Sequence, residues 1–238
     1  MRLSVVSVAA LALALTACGK GPEAIEAAPS AEPEAAATAE PAPAETTAAG
    51  EAATGPADYS VLPEDETARR QALLDYATME DSFLNDAKAQ WAATAKASSA
   101  YGKAGMNEGD DPMAMNAPGQ VTGALDGNTW SSETTDVGFD WIEVGFNRPV
   151  YAEALRIVFT DGQIAEAISK IELIDDTGTA HTIFSGVSPF KKDARGPRTW
   201  VVPEFEKTTF KVTGAKVTFA NALLERYKEI DAIQISGE

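Results

Sequence analysis

The chain has 238 residues, with 19 Lys and Arg against 36 Asp and Glu, for a formal net charge of -17. A phosphate-tracking protein concentrates Lys and Arg on one face, so this balance argues against nucleic acid, and it disfavours electrostatic adhesion to anionic lipid as well. The length suits one folded domain plus extras; the 45% hydrophobic fraction overstates the core, because many of those residues are alanines outside any plausible core.

The chain opens Met1-Arg2-Leu3 and runs apolar through Val5, Val6, Val8, Leu11, Leu13 and Leu15. One positive charge before a short apolar run is a secretory signal pattern, too short for a stable membrane span. It ends Leu15-Thr16-Ala17-Cys18-Gly19, which resembles a bacterial lipoprotein signal, with residues 1–17 as signal and Cys18 as the lipidated residue. The alternative is an ordinary cleaved signal with a chance cysteine. Cys18 is the one cysteine of the chain, so no disulfide forms within it. Several acyl chains on Cys18 would anchor the protein stably, where one chain gives marginal binding. Gly19 rather than Asp after the cysteine implies, in the Gram-negative sorting pattern this resembles, the outer membrane. That makes the anchor the expected contact with the membrane.

Residues 18–57 hold the lipid anchor and a segment, Lys20 to Ala57, that is mainly Ala, Pro, Glu, Thr and Gly, with Ile25 as its one large aliphatic residue. Such a segment cannot bury enough apolar surface to offset ordering entropy, and Pro33, Pro41 and Pro43 break any long Ala-Glu helix. It reads as a disordered tether that reaches roughly 100 Å when fully extended, at about 3.1 Å per residue.

Residues 58–89 read as a helical collar. Pro63-Glu64-Asp65-Glu66-Thr67 opens a helix with acidic residues at the positive end of its dipole. Leu73, Leu74, Tyr76, Ala77 and Met79 give a partial apolar face, and Phe83, Leu84, Ala87 and Trp91 continue it or form a second short helix. Such a helix packs on the edge or end of the following domain, or it binds a partner.

From 90 to 238 the grammar is that of strands. Ile142, Val144 and Phe146, then Leu155, Ile157 and Phe159, then Ile171 and Leu173 occupy alternate positions, which puts one face of each strand on a core and leaves the other wetter. Asn147-Arg148-Pro149, Asp161-Gly162 and Asp176-Thr177-Gly178 punctuate the runs. Further strand candidates are 181–184, 199–202, 208–212, 215–219 and 230–235, with a helical turn at 221–226. Many short strands with Gly and Pro turns and little helix predict a mainly β, two-sheet sandwich or barrel.

Five pieces then occur in order: 91–101 as a first strand ending in Ser98-Ser99-Ala100-Tyr101, the loop 120–128, Trp130-Ser131-Ser132, Asp140-Trp141-Ile142-Glu143-Val144 followed by Pro149-Val150-Tyr151-Ala152, and the closing Tyr227-Lys228-Glu229-Ile230-Asp231-Ala232-Ile233. This series resembles the galactose-binding-like β-sandwich of discoidin and coagulation-factor C-type modules, across nearly the whole folded part. The resemblance implies jelly-roll topology. It also implies that the loop holding Asp126 and Asn128 meets Glu229 at one end of the sandwich, where a structural calcium would find hard oxygen ligands. Trp130 follows Asn128 after one residue, a shorter gap than the family has, and the alternative is a turn held by Asx hydrogen bonds.

Sugar sites place an aromatic ring against the apolar face of a pyranose, with a few polar groups to fix orientation. Trp130, Tyr101, Tyr227, Phe190 and Trp200 are platform candidates; Arg198, Lys191, Lys192, Asn221 and His181 are polar candidates. Trp141 and Trp200 also suit sheet positions as core or half-core residues. Met106, Met113 and Met115 are clustered thioethers that suit copper(I) or a pliable cover. Catalysis has little to use: His181 is the only histidine, Ser98-Ser99 lacks the Gly-x-Ser-x-Gly surround, and Asp110-Asp111 and Asp175-Asp176 read as turn residues. The sequence therefore suggests a lipid-anchored, non-catalytic module binding carbohydrate or another envelope component. The alternatives are an accessory protein docking a partner through the sandwich or the collar helix and, last, an enzyme.

Overall fold

The computed structural model describes residues 58–238, which belong to one compact unit. The signal 1–17, Cys18 and the tether to residue 57 lie outside the described residues.

Helix α1 spans Glu66–Leu84. Asp65 caps it, its carboxylate accepting from the Ala68 amide at 2.8 Å, and Glu66 reaches Arg70 one turn on at 2.7 Å. The helix runs unbroken across Asp81-Ser82 and stops at Asn85, whose amide returns to the Asp81 carbonyl. It buries Ala72 and Tyr76, with Met79 and Phe83 half-buried on the same i, i+4, i+7 stripe. Leu73 and Leu74, expected on the apolar face, stand 41% and 59% exposed, because they fall off that stripe. No helix among the described residues is long and apolar enough to cross a membrane.

Two antiparallel sheets follow. Strand β1 is Ala89–Trp91 and β2 is Thr94–Ala97. The sequence reads them as one strand, but the chain changes sheets between them: the Ala92 amide bonds to the Ile233 carbonyl and the Ala93 amide to the Gly145 carbonyl, on opposite layers. After the short β3, Trp130–Ser131, comes β4, Phe139–Phe159, which belongs to both layers. Its first half pairs with β2 and with β8, Lys211–Ala220. Its second half pairs with β10, Ala232–Gly237, and with β7, Thr199–Val201. The register slips between Gly145 and Val150, at the Asn147-Arg148-Pro149 break; Pro149 has no amide to donate there. Strands β5, Ile168–Asp175, and β6, Ala180–Ser185, extend the β8 side. The two-residue β9, Glu229–Ile230, pairs with β3. One layer is therefore β1-β10-β4-β7 and the other β2-β4-β8-β5-β6, a mainly β sandwich as the strand pattern predicts.

Between the layers lie Ile142, Val144, Leu155, Ile157, Phe159, Ile171, Leu173, Val217, Phe219, Ile233 and Ile235, all buried. Strand β8 is continuous where the sequence suggests two runs. Gly214 keeps it so: a Cβ there would sit 2.6 Å from the Val144 carbonyl, so only glycine permits the approach.

The reading that the second face of each strand is the wetter one fails on one layer. Arg156, Val158, Trp200 and Gln234 point away from the sandwich core yet are buried. Helix α1 covers them. Phe83 and Trp200 lie 5.2 Å apart, the Arg156 guanidinium sits 4.3 Å over the Phe83 ring, and Tyr76 donates to the Arg198 carbonyl at 2.9 Å. The collar thus packs on the outer face of a sheet.

Candidate functional site

Strand β8 runs from the end where β4 bends to the end where β4 begins, so Lys211 and Ala220 mark opposite ends of the sandwich. The segments around 98–101 and 132–140, 161–163, and 221–228 meet at the Ala220 end. Two buried charges build this end. Asp140, 3% exposed, accepts from Ser98 Oγ at 2.9 Å, Ser99 Oγ at 2.6 Å, Thr134 Oγ1 at 2.8 Å and Asn221 Nδ2 at 2.8 Å. Burial pushes its carboxyl up, but these four donors outweigh that and hold it below the ordinary aspartate value. Lys228, with no exposed surface, donates its ammonium to the carbonyls of Thr135, Leu224 and Arg226. Burial pulls it below the ordinary lysine value, while Asp140 and Asp136 pull it back. Its backbone is fixed as well, exchanging hydrogen bonds with Ser132.

On this base stand Tyr101 and Tyr227, 48% and 41% exposed, with ring centroids 5.0 Å apart and an interplanar angle of 76°. Tyr101 opens a 3-10 turn two residues after Ser99; Tyr227 sits between the clamped Arg226 and Lys228. The Arg226 guanidinium lies on Asp161 at 2.7 Å and Gln163 at 2.6 Å, joining the third segment to the same end. An exposed edge-to-face aromatic pair on a hydrogen-bonded base is a preorganised apolar surface.

The other sequence candidates separate from this pair. Trp130 is fully buried, its indole donating to the Ser99 carbonyl at 2.8 Å and its ring packed on Phe219, so it supports the end from within and offers no platform to a sugar. Arg198 belongs to the helix interface, where it donates to Glu80 of α1 at 2.8 Å. Asn221 is buried around Asp140. Phe190, Lys191, Lys192 and Trp200 line a flank cleft of about 700 Å³ between β6 and β7, walled also by Tyr59, Ile183 and Phe184. His181 lies at the opposite end, stacked on Phe210 and bonded to Asp175 at 2.8 Å. Asp175 also caps the Thr177-Gly178-Thr179 turn, and Asp110 and Asp111 bond local amides, so both acidic pairs are turn residues as read. Met106, Met113 and Met115 are exposed on the 104–117 loop, Met113 accepting from the Thr122 hydroxyl at 4.0 Å.

The calcium candidates make local hydrogen bonds. The Asp126 carboxylate accepts the amide and side chain of Asn128 at 2.8 Å and 3.0 Å, an Asx turn, while Glu229 accepts from Ser131 at 3.2 Å. Among the described residues no group of three or more His, Cys, Asp or Glu side chains converges to hold an ion.

Asp140 and Lys228 were not read as functional from the sequence, yet a signal existed. Asp140 shares the parity of Ile142 and Val144, and Lys228 that of Ile230, so period two turns both inward. A charge on the inward parity of a strand end marks a buried polar centre.

No protein-family model matches the sequence, and no curated protein matches it. Among solved structures the chain is similar to chitosan-binding module 1 of a chitosanase/glucanase from Paenibacillus sp. IK-5, at 14% identity and TM-score 0.40, covering 60% of this chain and 94% of that one. It is similar to the family 32 CBM from C. perfringens NanJ in complex with galactose, at 12% identity and TM-score 0.43, covering 60% and 91%. It is also similar to an F5/8 type C domain from Bacteroides fragilis, at 14% identity and TM-score 0.41, covering 64% and 98%.

Proposed function

We propose that the folded part is a non-catalytic module that binds carbohydrate through the Tyr101–Tyr227 end of the sandwich. The observation that supports this reading is the exposed ring pair held at 5.0 Å on a hydrogen-bonded base built around Asp140 and Lys228. Such rings offer the apolar face of a sugar a surface that costs little ordering on binding. The test is a glycan array probed with the purified protein. Tyr101→Ala and Tyr227→Ala should each weaken the strongest interaction about tenfold, the worth of one aromatic contact. Phe190→Ala, in the flank cleft, should leave it unchanged. Loss with Phe190→Ala but not with the tyrosines would move the site to the cleft, and an array with no bound glycan would remove the reading. A second reading, docking of a partner protein through the collar, draws on Leu73 and Leu74, exposed on α1.

The lipid anchor belongs to the same proposal. Cys18 stands at the end of a short apolar run, after Thr16-Ala17. Cys18→Ser should shift the protein from the outer-membrane fraction to the soluble periplasm; a variant that still pellets with membranes after a high-salt wash would refute the anchor.

A further inference from the structure

The Lys228 ammonium carries no carboxylate salt bridge among the described residues, yet it is fully buried. Its acceptors are three backbone carbonyls, from Thr135 on the 131–138 segment and from Leu224 and Arg226 on the turn that leads to Tyr227. An ammonium has three N–H donors and a neutral amine two, so three acceptors match the charged form. Carbonyl oxygens converging from two loops on one positive centre are what a bound cation would gather. The two carboxylates that the family resemblance offers to calcium, Asp126 and Glu229, accept from Asn128 and Ser131 and not from Lys228.

We propose that Lys228 is the built-in cation of this loop end: its ammonium, caged by the carbonyls of Thr135, Leu224 and Arg226, positions Tyr227 against Tyr101 and takes the place of a structural metal ion. Tyr227 is held on both sides, because the Arg226 carbonyl belongs to the cage and the Lys228 amide and carbonyl are bonded to Ser132. Moving the cage therefore moves the ring. The functional meaning of that positioning rests on the carbohydrate reading above; the cage itself does not.

The test reads the ring pair directly, by the near-ultraviolet dichroism and the ring NMR signals of Tyr101 and Tyr227, beside the melting temperature. Lys228→Met keeps the stem and removes every donor. It should lower the melting temperature by several degrees, erase the ring-pair signature and weaken any glycan bound by about tenfold. Lys228→Ala leaves the carbonyls at the head of a hole as long as the removed stem, open to a small primary ammonium ion. Methylammonium should restore its melting temperature and ring signature, and tetramethylammonium at equal ionic strength should not, because it has no N–H to donate. Where the variant does not fold in buffer, refolding yield in the two salts gives the same comparison. EDTA and calcium should leave the unaltered protein's melting temperature unchanged. The proposal is overturned if Lys228→Met keeps the ring signature, if the two ammonium salts act alike, or if EDTA lowers the melting temperature and calcium restores it. Selective rescue by methylammonium in a protein that binds no glycan would uphold the cage and discard the carbohydrate reading.

Discussion

The outer faces of the two sheets obey the same alternation and end in opposite states. On the β2-β4-β8-β5 layer the outward row is Lys96, Glu143, Lys216 and Glu172, four alternating charges in register across four strands. Lys96 meets Glu143 at 2.7 Å, and Lys216 lies 4.1 Å over the Trp141 ring. This face needs no cover. On the β1-β10-β4-β7 layer the outward set is Gln234, Arg156, Val158 and Trp200, and it is dry. What dries it is a helix with a poor apolar stripe, so the attachment is largely polar. Glu80 accepts from Arg198, Trp200 and Tyr76, and Asp86 accepts from Arg156 at 2.9 Å. Burial pushes Glu80 up, but those donors outweigh it and hold the carboxyl below its ordinary value. Helix α1 and Asp86, just past its end, thus supply acceptors to the polar tips of large side chains on the back of the sheet. A covered face is specified by such pairs as much as by hydrophobicity, because each tip buried without its partner would cost about 1–3 kcal/mol.

The two tryptophans put the largest number on this contrast. Trp200, 8% exposed, packs against Phe83 and Trp91 and donates to Glu80 at 3.1 Å. Trp200→Ala should cost about 3–5 kcal/mol in urea unfolding, as for a large core side chain, and should release α1. Trp141 is half-buried on the open face with one cation–π partner. Trp141→Ala should cost about 1 kcal/mol. Equal losses would mean that the helix-covered face is not part of the cooperative core.

Which of this was legible in the sequence follows from what each signal can carry. The alternation in 142–146, 155–159 and 171–173 located the inward residues because burial on one face imposes period two. The same alternation says nothing about what lies outside, so Arg156 read as solvent-facing; its cover comes from a helix some seventy residues earlier, as roughly the spacing of Asp86 and Arg156 in the pairing shows. Tyr101 and Tyr227 are both candidates by sequence, and the fold brings them together. Trp130 is a candidate for its chemistry alone, and its two-residue strand between Asn128 and Ser132 carries too little pattern to show that its ring points inward. Arg198 directly precedes β7, the strand of Trp200, and only knowing where Glu80 sits separates a ligand contact from a helix clamp.

The ion pairs of the two faces give the finest comparison. Arg156 and Asp86, with side chains 10% and 19% exposed, form a pair under α1 that also ties in Gln234 at 2.6 Å. Removing one partner leaves a buried, uncompensated charge, so Asp86→Asn should cost about 3 kcal/mol. For Asp86, burial pushes the carboxyl up, but hydrogen bonds from Ser236 and Arg156 outweigh it, and the folded value lies below the ordinary one. A carboxyl depressed on folding contributes stability that is complete above the ordinary aspartate value and fades as pH falls through the folded value. The gap between the unaltered protein and Asp86→Asn should therefore be widest near neutral pH and narrow in acid. Lys96 and Glu143, 66% and 23% exposed, are the counterpart on the open face. Glu143→Gln should move stability by about 0.5 kcal/mol or less, and that little should shrink further in high salt, because exposed charges are screened. High salt should leave the Asp86→Asn deficit nearly intact, since ions do not enter beneath the helix. A deficit that salt abolishes at both positions would show that α1 lies loosely enough on its sheet for the Arg156 guanidinium to reach water, and the two faces would then differ in composition but not in state.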